Sequence, residues 1–97
     1  MTTASDRSAA DWKKLDKNHY LHPFTDFKSL GKKKSRIITR GDGVYIYDSD
    51  NNKILDGMSG LWCVNIGYGR QELVEAATEQ LKELPYYNSF FQCATPP

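Results

Sequence analysis

Between residues 36 and 56, turn-forming residues cut the chain into short apolar pieces that read as strands of a hairpin. Arg36–Thr39 carries Ile37 and Ile38, Gly43–Asp48 reads GVYIYD, and Lys53–Asp56 reads KILD. These pieces are rich in β-branched and aromatic residues, which suit a pleated, half-covered surface. Gly41-Asp42-Gly43 separates the first two, and Ser49-Asp50-Asn51-Asn52 separates the last two. Glycine accepts positive φ, and Ser, Asp and Asn bond their own backbone, so both spacers read as turns. Connections this short allow only antiparallel neighbours, because a parallel pair needs a crossover of about a dozen residues or more. The expected unit is a small antiparallel β-meander.

Helices are expected on both sides of it. Ser8 is placed to cap the first, with Asp11 three residues on in an acidic variant of the capping box. Trp12 and Leu15 then share a face, and the helix should fade by Asn18. Residues 1–7 are small and polar and are expected to fray. The second helix runs from Gln71 to Leu84. Leu73, Val74, Ala77, Leu81 and Leu84 form one stripe, with Glu72, Glu75 and Glu79 mostly opposite. Gly69 supplies the turn into this helix and Pro85 stops it. Tyr20–Phe27 (YLHPFTDF) reads as extended or turned, since Pro23 disfavours helix at His22. Lys32-Lys33-Lys34 with Arg36 reads as a solvated loop rather than a phosphate or nucleic-acid patch. The fold class is α+β.

A chain of 97 residues allows one small domain, whose core would be marginal. An aromatic content of 12% argues against disorder. A net charge of +1 gives no global field to attract nucleic acid or an anionic membrane, and neither partner is expected. No run approaches the ~18 apolar residues of a membrane span. The opening MTTASDRSAADWKK lacks the apolar stretch of a signal peptide. Cys63 and Cys93 fit neither zinc spacing nor a CxxC pattern, so both read as free thiols in a reducing cytoplasm. The chain stops at Ala94-Thr95-Pro96-Pro97, directly behind an aromatic cluster, and this end reads as a truncation.

Few residues carry chemistry. Gly67-Tyr68-Gly69 hints at a phosphate loop, but Glu72 stands where a dinucleotide fingerprint needs its third glycine. The Gly-Lys-Ser/Thr of a P-loop is also missing. These glycines read as shaping a strand-to-helix turn. His19 and His22 have no third metal ligand at recognisable spacing and read as surface or packing residues. Cys63, beside Trp62 in an apolar run, reads as a buried small hydrophobe. No metal site is expected. Tyr86, Tyr87, Phe90 and Phe91 put four rings into six residues, and Leu61-Trp62 adds another apolar pair between Gly60 and Gly67. Neither group has strand or helix periodicity. Pocket wall, subunit interface and core remain equally open for them.

Five stretches in order resemble the start of the class III, or omega, aminotransferases. They are Leu21–Asp26 (LHPFTD), Arg40–Asp48 (RGDGVYIYD), Lys53–Gly57 (KILDG), Gly60–Gly69 (GLWCVNIGYG) and Leu84–Phe91 (LPYYNSFF). Asp56–Arg70 (DGMSGLWCVNIGYGR) carries most of the resemblance. Leu61–Asn65 together with Leu84–Asn88 resembles the amine–pyruvate branch, which includes omega-amino acid and putrescine aminotransferases.

The resemblance implies that residues 1–97 are the amino-terminal segment of the small domain of a fold-type I enzyme, without the large cofactor-binding domain. It implies a homodimer that moves an amino group from an amine to a keto acid such as pyruvate by way of pyridoxal 5'-phosphate. Phe24, Leu61, Trp62 and Tyr87 would line the substrate pocket, and Phe90 and Phe91 would lie at its edge near the partner subunit. No catalytic or cofactor-binding residue is implied here: the Schiff-base lysine follows later in such enzymes, and none of the nine lysines stands in a comparable setting. One position departs, since relatives usually carry His where this chain has Thr95. Two other readings stand beside this one: a non-catalytic interaction module, and a fragment of a diaminopelargonate-type aminotransferase.

Overall fold

The computed structural model describes residues 7–96. The expected fraying of residues 1–7 falls almost wholly outside them. Helix α1 spans Ala9–His19. Its capping box forms as expected: the Ser8 hydroxyl accepts from the Asp11 amide, and the Asp11 carboxylate accepts from the Ser8 amide. Two amides that a helix start leaves without partners are thereby satisfied.

The segment expected to be loop around Lys32 instead contains a second helix, α2, Phe27–Lys33. Asp26 caps it by accepting from the Lys28 amide, and Phe27 and Leu30 fall one turn apart. Lys32 and Lys33 sit in its last turn, where cations complement the helix dipole. The basic run is therefore a helix end, stopped at Lys34 by a φ of +62°.

The meander is present as strands β1 (Ile38–Asp42), β2 (Tyr45–Asp48) and β3 (Lys53–Leu55), antiparallel in the order β1-β2-β3. β1 lies further along the chain than expected, because Gly41 and Asp42 pair with Ile46 and Tyr45 instead of turning. The turn falls on Gly43 and Val44. A register slip between Ile38 and Arg40 leaves Thr39 unpaired, and its hydroxyl donates to the Tyr47 carbonyl. Two cations lie on the sheet's rings: the Arg40 guanidinium is 3.4 Å from the Tyr47 centroid, and Lys53 Nζ is 4.0 Å from that of Tyr45.

The turn after β2 is organised by Asp48, the only buried residue among those described, at 4% exposure. Its Oδ1 accepts from the Asp50 and Asn52 amides, and Asn52 Nδ2 donates to both carboxylate oxygens. These bonds, those of Asn52 foremost, hold the carboxyl below the usual carboxylate range. Lys13 on α1 pairs with Asp50 at 2.8 Å and ties the first helix to this turn.

After β3 come a single turn, α3 (Ser59–Trp62), and then α4 (Gln71–Glu83). α4 stands where its stripe predicts, yet Leu73, Val74 and Leu81 are all exposed. Among the described residues no apolar side chain is buried, and no helix packs closely on another element. The radius of gyration is 18.0 Å, against about 13 Å for a compact domain of this size. The chain folds locally and leaves its apolar faces uncovered. The 97-residue chain alone should therefore bind a hydrophobic dye and unfold without a cooperative heat-absorption peak. A sharp calorimetric transition would show that it builds a core by itself.

Candidate functional site

Two arrangements place the candidate residues. The first is the turn that presents Leu61 and Trp62. All four residues of α3 have positive φ: +50° at Ser59, +58° at Gly60, +62° at Leu61 and +67° at Trp62. Its backbone is thus left-handed, at a cost of roughly 1–2 kcal/mol for each residue that carries a Cβ. Such strain persists only where the surroundings impose it. Asp56 supplies much of that: Oδ2 accepts from the Gly60 amide at 2.9 Å and from the Tyr68 hydroxyl at 2.6 Å, and Oδ1 accepts from the Met58 amide at 3.3 Å.

Tyr68 is in turn fixed to the sheet. Its backbone N–H donates to the Gly43 carbonyl at 2.8 Å, and its carbonyl accepts from the Gly43 amide at 3.1 Å. Its ring lies on Gly41, where an added Cβ would come within 2.5 Å of the ring. Gly67 approaches Gly43 as closely, since a Cβ there would be 2.8 Å from the Gly43 oxygen. Gly67 thus allows a close return to the sheet, and Gly69, at a φ of +76°, turns the chain toward α4.

The hydroxyl of Tyr68 holds the Asp56 carboxyl below the usual carboxylate range, and Asp56 raises Tyr68 above its ordinary value of 10.0. The depressed acid contributes fully above the ordinary carboxyl value and is lost as pH falls through its lowered one. The raised phenol contributes fully below 10.0 and is lost as pH climbs through its raised value. Between those limits the pair stays intact.

The second arrangement is the aromatic run after α4. Phe90 and Phe91 stand edge to face at 6.3 Å, and Asn88 Oδ1 accepts from the Phe90 amide. Trp62 is 83% exposed and Phe91 90%, and Phe24, Leu61, Tyr87 and Phe90 are also exposed. Phe24 opens onto a groove with Thr25, Asp26 and Lys33, and Tyr87 onto another with Leu84, Pro85 and Pro96; neither contains Trp62. Within this chain the candidate residues do not meet in one pocket. Cys63, expected to be buried, is exposed, because the left-handed turn carries it outward with Leu61 and Trp62. His22 bonds Asp16 at 2.9 Å and its ring meets Tyr20 edge-on, a packing role. Among the described residues no cluster of three metal-ligating side chains occurs, and no helix is long and apolar enough to cross a membrane. Asp56 and Tyr68 escaped the sequence reading, because twelve residues separate them and nothing local links them.

The profile of the family described as aminotransferase class-III matches residues 28–95. The chain belongs to the class III aminotransferases. It is 63% identical over 87 residues to the putrescine–pyruvate aminotransferase of Pseudomonas aeruginosa, covering 90% of this chain and 19% of that protein. It is 44% identical over 77 residues to gamma-aminobutyrate transaminase 1 of Oryza sativa subsp. japonica, covering 79% of this chain and 15% of that protein. Among solved structures, an (S)-enantioselective omega-transaminase from Thermomicrobium roseum superposes with a TM-score of 0.85 at 41% identity, covering 93% of this chain and 20% of that one. The helices and three-stranded sheet are thus the amino-terminal part of the transaminase fold. This class III aminotransferase chain spans about a fifth of the length of such relatives.

Two outcomes follow for an enzyme in which residues 8–95 of this chain replace the homologous segment of the Pseudomonas aeruginosa protein, the grafted enzyme. Gly41→Ala should cost about 1–3 kcal/mol by forcing the Tyr68 ring off the sheet, read as a lower urea midpoint. Tyrosinate absorbance, taken as the difference from the Tyr68→Phe variant, should show Tyr68 ionising above pH 10.0 and moving back toward that value in Asp56→Asn.

Proposed function

We propose that this chain is the amino-terminal part of an aminotransferase that moves an amino group from an amine or omega-amino acid to a keto acid such as pyruvate. The observation that carries this reading is the 63% identity to a putrescine–pyruvate aminotransferase. In this reading Phe24, Leu61, Trp62 and Tyr87 form one wall of the substrate pocket, and Phe90 and Phe91 lie at its edge toward a partner subunit. Their exposure supports it: large rigid rings that nothing in this chain covers are suited to wall a cavity closed by other parts of an enzyme.

Engineered relatives support it further. One thermostable omega transaminase, with a tryptophan changed to glycine, is described as engineered for asymmetric synthesis of bulky amines. A second combines tryptophan-to-methionine, phenylalanine-to-leucine and arginine-to-leucine changes toward the same end, the first two twenty-eight positions apart. Trp62 and Phe90 are also twenty-eight positions apart.

Pyridoxal phosphate supplies an electron sink when bound, and it needs a lysine amine and a phosphate cup. In this reading those needs are met outside this chain, and five of its nine lysines are engaged otherwise. Lys13 pairs with Asp50 and Lys82 with Glu79, Lys53 lies on the Tyr45 ring, and Lys32 and Lys33 end an exposed helix. This chain's part is to bind the amine's carbon skeleton, limit its width and keep water from it. In this reading the whole protein is a homodimer in a reducing cytoplasm.

The 97-residue chain mixed with pyridoxal phosphate, putrescine and pyruvate should form no alanine, whereas the grafted enzyme should. Trp62→Ala in the grafted enzyme should raise kcat/KM for a bulky arylalkyl amine about tenfold relative to putrescine, with cofactor content unchanged. Alanine formation by the short chain would overturn the division of labour. Unaltered amine preference would remove Trp62 from the pocket.

A further inference from the structure

We propose that Asp56 and Tyr68 are positioning residues for Trp62, and that their hydrogen bond sets how far Trp62 reaches into the amine pocket. The proposal rests on the reading of Trp62 as a pocket wall. The turn that carries Trp62 does not choose its own hand. Its backbone bonds, from the Trp62 amide to the Met58 carbonyl and from the Cys63 amide to the Ser59 carbonyl, have the spacing of either a left- or a right-handed turn. Relaxation to the favoured right hand would swing the Trp62 side chain to another face. The left hand needs a contact from outside the turn.

That contact is the shared oxygen of Asp56. Oδ2 takes the Gly60 amide from inside the turn and the Tyr68 hydroxyl from outside it. Tyr68 is a fixed point, since two backbone bonds to Gly43 and a ring seated on Gly41 anchor it to the sheet. Asp56 is also sheet-bound, its amide donating to the Val44 carbonyl at 2.9 Å. Gly60 faces the same junction: a Cβ there would lie 2.8 Å from Val64 Cγ2 and 3.2 Å from the Tyr68 hydroxyl. The hydroxyl is the atom through which Tyr68 bonds the turn's own anchor. Its removal leaves the ring and the sheet contact in place while taking from Asp56 Oδ2 the bond that ties the turn to Tyr68.

The grafted enzyme tests this with Tyr68→Phe, Asp56→Asn and Trp62→Ala, each read two ways. One reading is amide hydrogen exchange of the peptide over residues 57–66. The other is the ratio of kcat/KM for a bulky arylalkyl amine to that for putrescine. Tyr68→Phe should speed exchange of that peptide about tenfold, the size expected for one charge-assisted hydrogen bond. It should shift the amine ratio in the same direction as Trp62→Ala, through KM more than kcat. Asp56→Asn should act likewise but less, and its effect should shrink in the Tyr68→Phe background.

Unchanged exchange and an unchanged amine ratio in Tyr68→Phe, with Trp62→Ala still active on the ratio, would overturn the positioning role and leave the pocket wall standing. An unchanged ratio in Trp62→Ala would overturn the pocket reading and the proposal with it. Should Tyr68→Phe fail to assemble, Asp56→Asn carries the same two readouts.

Discussion

The sheet and the turn that presents Trp62 are joined at Tyr68. Its two backbone bonds to Gly43 and its ring on Gly41 connect residues that lie a quarter of the chain apart. The hydroxyl then passes that fixed position to Asp56, and Asp56 passes it to Gly60. Without this sequence of contacts the meander and the aromatic turn would be separate pieces of local structure. The glycines make it possible. Side chains at 41, 60 or 67 would occupy the space that the Tyr68 ring, Val64 or the Gly43 backbone fills.

A second constraint governs everything else. Among the described residues, nothing covers the apolar faces. α4 carries a regular stripe of Leu73, Val74 and Leu81, yet all three are exposed, and the rings from Tyr86 to Phe91 are exposed with them. The only buried side chain described is a carboxylate that organises a turn. Hydrogen bonds, rather than apolar burial, shape the described residues. The chain spans only 19% of the length of the putrescine–pyruvate aminotransferase it is similar to.

Much of the local structure was legible. The Ser8–Asp11 box, the Ser49–Asn52 turn and the stop at Pro85 are written in residues a few positions apart, and each forms where its chemistry predicts. α2 was missed because three consecutive lysines mask a short helix whose only strong signal is Asp26 at its cap. β1 starts two residues and ends three residues later than expected because Gly41 and Asp42, turn formers by type, pair with β2 under the Tyr68 ring. Cys63 was misplaced because its apolar neighbours suggested a core, and the segment is a strained turn facing outward.

By itself the sequence determined the family, the antiparallel meander, the two longer helices and which side chains are large enough to wall a pocket. Those depend on residue type and short spacing, which a linear chain displays directly. Only the tertiary structure decided the hand of the turn at Ser59–Trp62, the direction in which Trp62 points and the partnership of Asp56 with Tyr68. Each depends on segments meeting through space: Asp56 holds the turn from four residues away, and Asp56 is in turn held by Tyr68, twelve residues on and bonded to Gly43 of the sheet.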